Sequence, residues 1–244
     1  MPTTGPGGAA IILVNVEKQY GGLRPLRIRD LRVPAGRMAM LLGFDRPAAE
    51  VFVNLITGAA LPEQGEVVSL GTPTAAIATS DEWLAFVERF GIASDRIVLL
   101  EAMTVAQNLA ISFDLALEPI PAHILPRVAS LAAEVGIAAD VLESSVSAAP
   151  PLLRAQIYLA RALALDPAIL VLEHPSASLQ PGEAKAYAAI VKGVSQRRGV
   201  TTIGLLMDEA FAKATGGRLL SWQPASGELR PPSRFALRRG RGYF

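Results

Sequence analysis

Three strongly apolar runs constrain what this chain can fold into: "GRMAMLLG" at residues 36–43, "AILVLEHP" at 168–175 and "VTTIGLLMD" at 200–208. A strand that alternates apolar and polar residues can keep one face in water. A strand without that alternation is buried on both faces, and such strands belong to parallel sheets covered by helices. Stretches with helical apolar spacing lie between the runs. "AAEVFVNLITG" starts at Ala48 and stops at Gly58, "PPLLRAQIYLARALALDP" opens on proline and ends on Asp-Pro, and "PGEAKAYAAIVKGVSQRRG" ends on glycine. With "GEVVSLG" as a further strand, the order strand, loop, helix, strand opens a parallel-sheet unit.

The flanks and the middle of the chain add other elements. "AIILVNV" and the alternating "LRIRDLRV" read as N-terminal strands, the second half-exposed. "SDEWLAFVERFG" reads as one helix, with Ser80 as N-cap and two acids behind it. "TVAQNLAISFDLAL" is amphipathic, and "PAHILPRVASLAAEVGI" is a helix closed by Gly136. "EAFAKATGG" is a short helix and "GRLLSWQPASGELR" a terminal hairpin. No internal repeat occurs. The pattern predicts one α/β domain over residues 1–230: a mostly parallel sheet flanked by helices, an N-terminal antiparallel β part and a helical insert over about residues 96–160. Met1 to Ala10 are expected to fray. Residues 231–244, "PPSRFALRRGRGYF", are expected to form a flexible basic tail whose Arg234, Arg238, Arg239 and Arg241 suit anionic lipid headgroups or an acidic partner.

Composition narrows the function classes. Hydrophobic residues are 51% of the 244, ample for a large core. Charged residues are 18%, below the roughly 25% usual for soluble domains, so some apolar surface is expected to be covered by a partner. A net charge of +1 gives no global attraction to nucleic acid. There is no cysteine, which excludes disulfides, thiolate metal sites and cysteine nucleophiles and suits a reducing cytoplasm. The first residues lack the basic n-region and apolar run of a signal peptide, and no run of 18 apolar residues offers a membrane span.

Four landmarks in order resemble the ATPase subunit of ABC transporters over roughly Ile11 to Arg230. "GRMAMLLG…LITGAALPEQGEVVSLG" follows that family's strand, loop, helix and next strand without a gap. "MTVAQNLA" matches its T-V-x-E-N segment, with Gln107 at the acidic position. "ARALALDPAILVLEHPSASLQP" is close to its A-R-A-L-x-x-D-P…D-E-P segment, and "TTIGLLMDEA" parallels its T-x-x-x-x-T-H-D strand end. The resemblance implies a P-loop-NTPase-like fold and a place in a transport machine.

The resemblance fails at the positions that carry chemistry. The family's phosphate loop, G-x-x-x-x-G-K-[ST], presents backbone N–H groups and a lysine to phosphates and a hydroxyl to Mg²⁺. Here "GFDRPAAEV" keeps Gly43 but sets Ala48 at the second glycine, Ala49 at the lysine and Glu50 at the hydroxyl residue, followed by Val51. Pro47 removes a donor, and Asp45 and Glu50 bring carboxylates to an anion site. One carboxylate about 5 Å from a phosphate charge costs roughly 3 kcal/mol at an effective dielectric near 20, with Arg46 the one local cation to offset it. Asp95 takes the place of the family's Q-loop glutamine. The strand-end acid pair D-E becomes Glu173 and His174, of which Glu173 could reach a cation and His174 could act as a base. The signature L-S-G-G-Q becomes "APPLL" at Ala149 to Leu153. Met207, expected in the core, replaces the switch histidine, and Gln180 replaces an aspartate after "SASL". Tyr20 falls where the family stacks adenine, although edge packing would serve as well.

Five substituted elements on an intact scaffold describe a pseudo-ATPase: a non-catalytic accessory or regulatory subunit of an ABC transport system, with no cofactor expected. The alternatives are an atypical active subunit that uses ATP and Mg²⁺ through His174 and Glu173, and a protein- or metal-binding adaptor unrelated to transport. Glu50, Asp95 and Glu173 should converge, and so must be protonated, paired with Arg46 or Arg96, or bridged by a cation. The segment from Asn108 to Ile137 resembles the helical part of ATPases serving lipid-trafficking (Mla-type) permeases. Partners implied are a permease or a sibling ATPase subunit, with the chain in the cytoplasm and peripheral to the membrane. Leu99, Leu100 and Met103 are the expected exposed apolar contacts.

Overall fold

The computed structural model describes residues 8–21 and 24–232. Two sheets form its frame. The first is antiparallel, in the order β2-β1-β4-β5, from β1 (Ala9–Lys18), β2 (Leu26–Pro34), β4 (Gln64–Ser69) and the short β5 (Thr72–Pro73). The second runs β10-β9-β3-β8-β7-β6 and is parallel except at one edge. It contains β3 (Met38–Leu42), β6 (Phe90–Ala93), β7 (Ile169–Glu173), β8 (Thr201–Leu206), β9 (Arg218–Gln223) and β10 (Glu228–Arg230), with β10 antiparallel to β9. The three apolar runs are its central neighbours, β3, β8 and β7, as their lack of alternation requires.

The alternation of side chains along these strands feeds two separate cores. Leu41, Ile169, Val171, Ile203 and Leu205 face the antiparallel sheet and α1 (Arg46–Ile56), whose Phe52, Leu55 and Ile56 fill the gap. Met40, Leu42, Leu170 and Leu172 face the opposite way, onto α3 (Val105–Ala110), α4 (Leu125–Glu134), α5 (Pro151–Leu163), α6 (Pro181–Arg198) and α7 (Glu209–Thr215). The hairpin of β9 and β10 ties the sheets together. Trp222 Nε1 donates to the Arg27 carbonyl at 2.8 Å, Arg29 N donates to the Gly227 carbonyl at 2.8 Å, and the Trp222 ring stacks on Phe44 at 4.7 Å.

Local chemistry sets the helix ends. Thr79 caps α2 (Ser80–Val87) in a reciprocal box with Glu82, so the cap lies one residue before the expected Ser80, because a Ser or Thr three residues ahead of a Glu satisfies two donors at once. Thr104 and Gln107 do the same for α3, so Gln107 works as a capping residue. Pro151 opens α5, and α6 ends on Gly199 at φ 60°.

Two expectations for the middle of the chain are corrected. "SDEWLAFVERFG" is a two-turn helix followed by strand β6, which pairs Phe90 with Ile169. Phe86 and Phe90 mimic a helical i, i+4 pair, but Gly91 must lie against α5, where a Cβ would stand 1.9 Å from the Ala162 carbonyl oxygen. "TVAQNLAISFDLAL" is helical only to Ala110, after which the Asp114 carboxylate accepts from Ala116 N and turns the chain away. The basic tail from residue 233 lies outside the described residues, as do residues 1–7 of the segment expected to fray.

Candidate functional site

The site predicted from sequence gathers at the carboxyl ends of β3, β6, β7 and β8. Gly43 follows β3 at φ 93°, where a Cβ would meet the Trp222 carbonyl oxygen at 3.2 Å. The chain then turns into α1, whose amino end would offer unpaired N–H groups to an anion. Here the chain supplies that anion itself. Asp45 is the N-cap, and its carboxylate accepts from Ala48 N at 2.9 Å while its carbonyl accepts from Ala49 N at 2.9 Å. Pro47 offers no N–H. Ala48 and Ala49 are packed into the inter-sheet core, Ala49 at 1% exposure, and Val51 lies partly buried against the same core.

The three acids expected to converge are answered by two arginines. Arg46 grips Asp95 in a fork, Nη1 donating to Oδ1 at 2.8 Å and Nη2 to Oδ2 at 2.7 Å. The Arg46 hydrogen bonds and charge hold the Asp95 carboxyl below the usual aspartate range, with a smaller contribution from nearby His174. Arg96 donates to Glu173 at 2.6, 2.9 and 3.0 Å and reaches Glu50 Oε1 at 3.2 Å. Glu173, at the end of β7, is only 4% exposed, so Arg96 is what permits a carboxylate there. The same bonds push the Arg96 guanidinium further above its ordinary value. Among the described residues, no three acids or histidines gather closely enough to hold a metal ion.

His174 sits in the left-handed region at φ 45°, with its backbone N donating to the Leu205 carbonyl at 2.9 Å. Its Nε2 is buried without a hydrogen-bond partner among the described residues. Met207 departs from expectation. It is 63% exposed rather than in the core, because β8 makes its last pair through Leu206 with Leu42 and the next side chain clears the sheet edge. At the signature position Pro150 caps α5 without a side-chain bond and Pro151 follows, so the two residues that begin this helix carry no N–H. Leu152 and Leu153 pack against the helical core. Gln180 stands just ahead of α6, and its backbone N donates to the Glu183 carboxylate at 2.9 Å. Tyr20 leans on the inter-sheet core, and burial together with the Asp45 charge pushes its phenol up.

The expected contact residues are displaced. Leu99 is buried, and Leu100 and Met103 pack against the helical core, held by Asn108, whose side chain accepts from Leu100 N at 2.8 Å and donates to the Leu100 and Thr104 carbonyls at 3.0 Å. The exposed apolar side chains nearby are Val98, at 75%, Leu165 and Leu115. Asp45 as a cap was readable, since Asp followed two residues later by Pro is a helix-start signal. Arg46 and Arg96 were expected as possible partners of these acids, but no sequence signal assigned Arg96 to Glu173, 77 positions away.

No family model matches the chain. It is 28% identical over 213 residues to the sulfate/thiosulfate import ATP-binding protein CysA of Thermosynechococcus vestitus, covering 86% of this chain and 60% of the relative. It is 28% identical over 197 residues to the methionine import ATP-binding protein MetN of Caulobacter vibrioides, covering 79% and 58%. The chain thus spans about three fifths of the length of these curated relatives. Among solved structures, cbiO1 from Clostridium perfringens, part of the ABC transporter complex cbiONQ, superimposes with a TM-score of 0.77 at 16% identity, covering 95% of this chain and 92% of that one. The dimeric bacterial ABC transporter cassette MJ0796 gives 0.72 at 18% identity, covering 90% and 96%. The fold is that of the P-loop ATP-binding cassette.

Proposed function

We propose that this chain, an ATP-binding cassette in fold and similar in sequence to import ATP-binding proteins, serves as an ABC transporter subunit that works without hydrolysing ATP. One observation supports the non-catalytic part: Arg96 lies across Glu173 and Glu50, the positions that would meet a metal-bound phosphate. The rest of the site agrees. The Asp45 carboxylate holds the amino end of α1, Ala49 gives no ammonium, and Pro150 and Pro151 give no donors. A polyanion entering here meets carboxylates already bonded to the groups it needs, so the residues present do not fit Mg²⁺ and ATP.

The relatives' names favour the second reading, an atypical active ATP-binding subunit, over the non-catalytic one. Each is an ATP-binding protein of an import system. On that reading Glu173 and His174 are the working pair, and Arg96 must first leave Glu173. The likeness to Mla-type ATPases rests on the segment from Asn108 to Ile137 alone, whereas these relatives name import of sulfate, thiosulfate and methionine. A permease or a sibling subunit remains the proposed partner. The adaptor reading without transport loses ground to these relatives.

Calorimetry with Mg²⁺ and ATP, paired with a phosphate-release assay, decides between the two readings. No binding heat at millimolar nucleotide and no release above a buffer blank are expected. Release that disappears in His174→Ala establishes the active reading instead.

A further inference from the structure

At the other end of the parallel sheet lies a cavity of about 390 Å³, built where β3, β8 and β9 begin. β3 is five residues long, so the cavity lies about 16 Å from Gly43. Its charged lining residues are Arg32, Arg37, Lys192 and Arg218, and no aspartate or glutamate lines it. They come from β2, the turn before β3, α6 and β9, so the fold rather than a local run brings them together. In a chain with 23 basic and 22 acidic residues, this is a strong local imbalance.

Arg32 is answered by Asp30 at 3.3 Å. Arg37, Lys192 and Arg218 have no salt bridge or side-chain hydrogen bond among the described residues, although other arginines in this chain are paired with acids. The carboxyl end of α7 meets part of the Lys192 charge, since its Nζ lies 3.6 Å from where a Cβ on Gly216 would stand. The two arginine forks are unpaired among the described residues. Met38, Val200 and Leu220 supply apolar wall, so the cavity can take carbon as well as charge.

We propose that this cavity binds a phosphate-bearing anion of two or more negative charges, held mainly by Arg37 and Arg218 with Lys192 beside them. Three cations lining one cavity with no acid among the lining favour an anion there, and the arginine fork matches two phosphate oxygens at once. The volume falls within the range of small-molecule sites. The sources of such a group are a free organic phosphate and a lipid headgroup. The site does not depend on the transport reading above, because it uses other residues at the opposite end of the strands.

Calorimetry with inorganic pyrophosphate at low salt tests the proposal. The wild-type chain should bind, more weakly as salt rises, and Arg37→Gln with Arg218→Gln should lose about tenfold or more in affinity. Lys192→Gln, at an exposed position of α6, should also weaken binding and keeps the test open if the double variant melts early. Vesicles of phosphatidylcholine with phosphatidic acid form the second arm, and co-flotation lost in the same double variant assigns the headgroup as the source. Pyrophosphate affinity unchanged in the double variant, affinity lost in Arg46→Gln instead, or binding to neither probe overturns the site.

Discussion

The Arg96 guanidinium bonds both oxygens of Glu173, at 2.6 Å to Oε1 and 2.9 Å to Oε2, and with the same group reaches Glu50. One side chain thereby joins the end of β7, the first turns of α1 and the turn after β6. Internal charge therefore ties these three elements to one another.

Arg96→Met should leave a carboxylate buried without a partner. The cost is expected to be about 2 kcal/mol, below the usual figure for a buried pair because the Arg96 side chain is 41% exposed. Urea denaturation reads it as a lower midpoint with unchanged slope. Adding Glu173→Gln should recover at least half of the loss. No recovery would mean that Arg96 acts through packing instead of charge.

Stability should also carry an acid limb set by Asp95. Its folded pKa lies below its unfolded one because Arg46 bonds and attracts the carboxylate. Its contribution is therefore complete above the unfolded value near about 4 and is lost as pH falls through the lower folded value. Both partners are well exposed, so the effect is about 0.5–1 kcal/mol. Arg46→Gln should reduce stability at pH 7 by that amount and leave it nearly unchanged at pH 2, as thermal melts at the two pH values would show.

Asp45→Ala should cost about 1 kcal/mol and Asp45→Asn only a few tenths, because asparagine still accepts from Ala48 N. Melting temperature is the readout. Equal losses in the two variants would mean that the Asp45 charge, rather than the cap bond, stabilises α1.

Val98→Asp should leave stability within about 0.5 kcal/mol, since the side chain is 75% exposed. The adjoining cavity of about 250 Å³ is lined by Ile92, Ile97, Arg161 and Leu165, with Arg161 donating to the Val98 carbonyl at 2.9 Å. On the transporter reading, Val98→Asp should abolish copurification of a membrane partner, whereas Leu61→Asp, at an exposed position in the loop after α1, should not. An intact complex in Val98→Asp would remove this face from the docking model.

The central strands were legible because "AILVLEHP" and "VTTIGLLMD" have no polar alternation and admit few other placements. β6 was hidden because four strand residues after a helix carry no period of their own, and only the closeness of Gly91 to α5 decides them. The acids at 50, 95 and 173 could be expected together, and the arginines at 46 and 96 were among the ways to answer them. Which arginine takes which acid is set by side-chain reach in the folded chain. Met207 and Leu100 were misplaced for one reason: hydrophobicity does not say whether an apolar residue at an element's end turns inward.

The bond from Trp222 to the Arg27 carbonyl spans 195 positions, and the Trp222 ring also covers Phe44. During synthesis the first two strands leave the ribosome long before the residues that close over them. Until the hairpin of β9 and β10 emerges, the inter-sheet core lacks its last wall and Phe44 its stacking partner. Such long-range closure slows folding and prolongs the exposure of apolar surface in the nascent chain. A chain released before Trp222 should therefore be a substrate for chaperones and proteases, even though it already holds every residue of the site at the carboxyl end of β7.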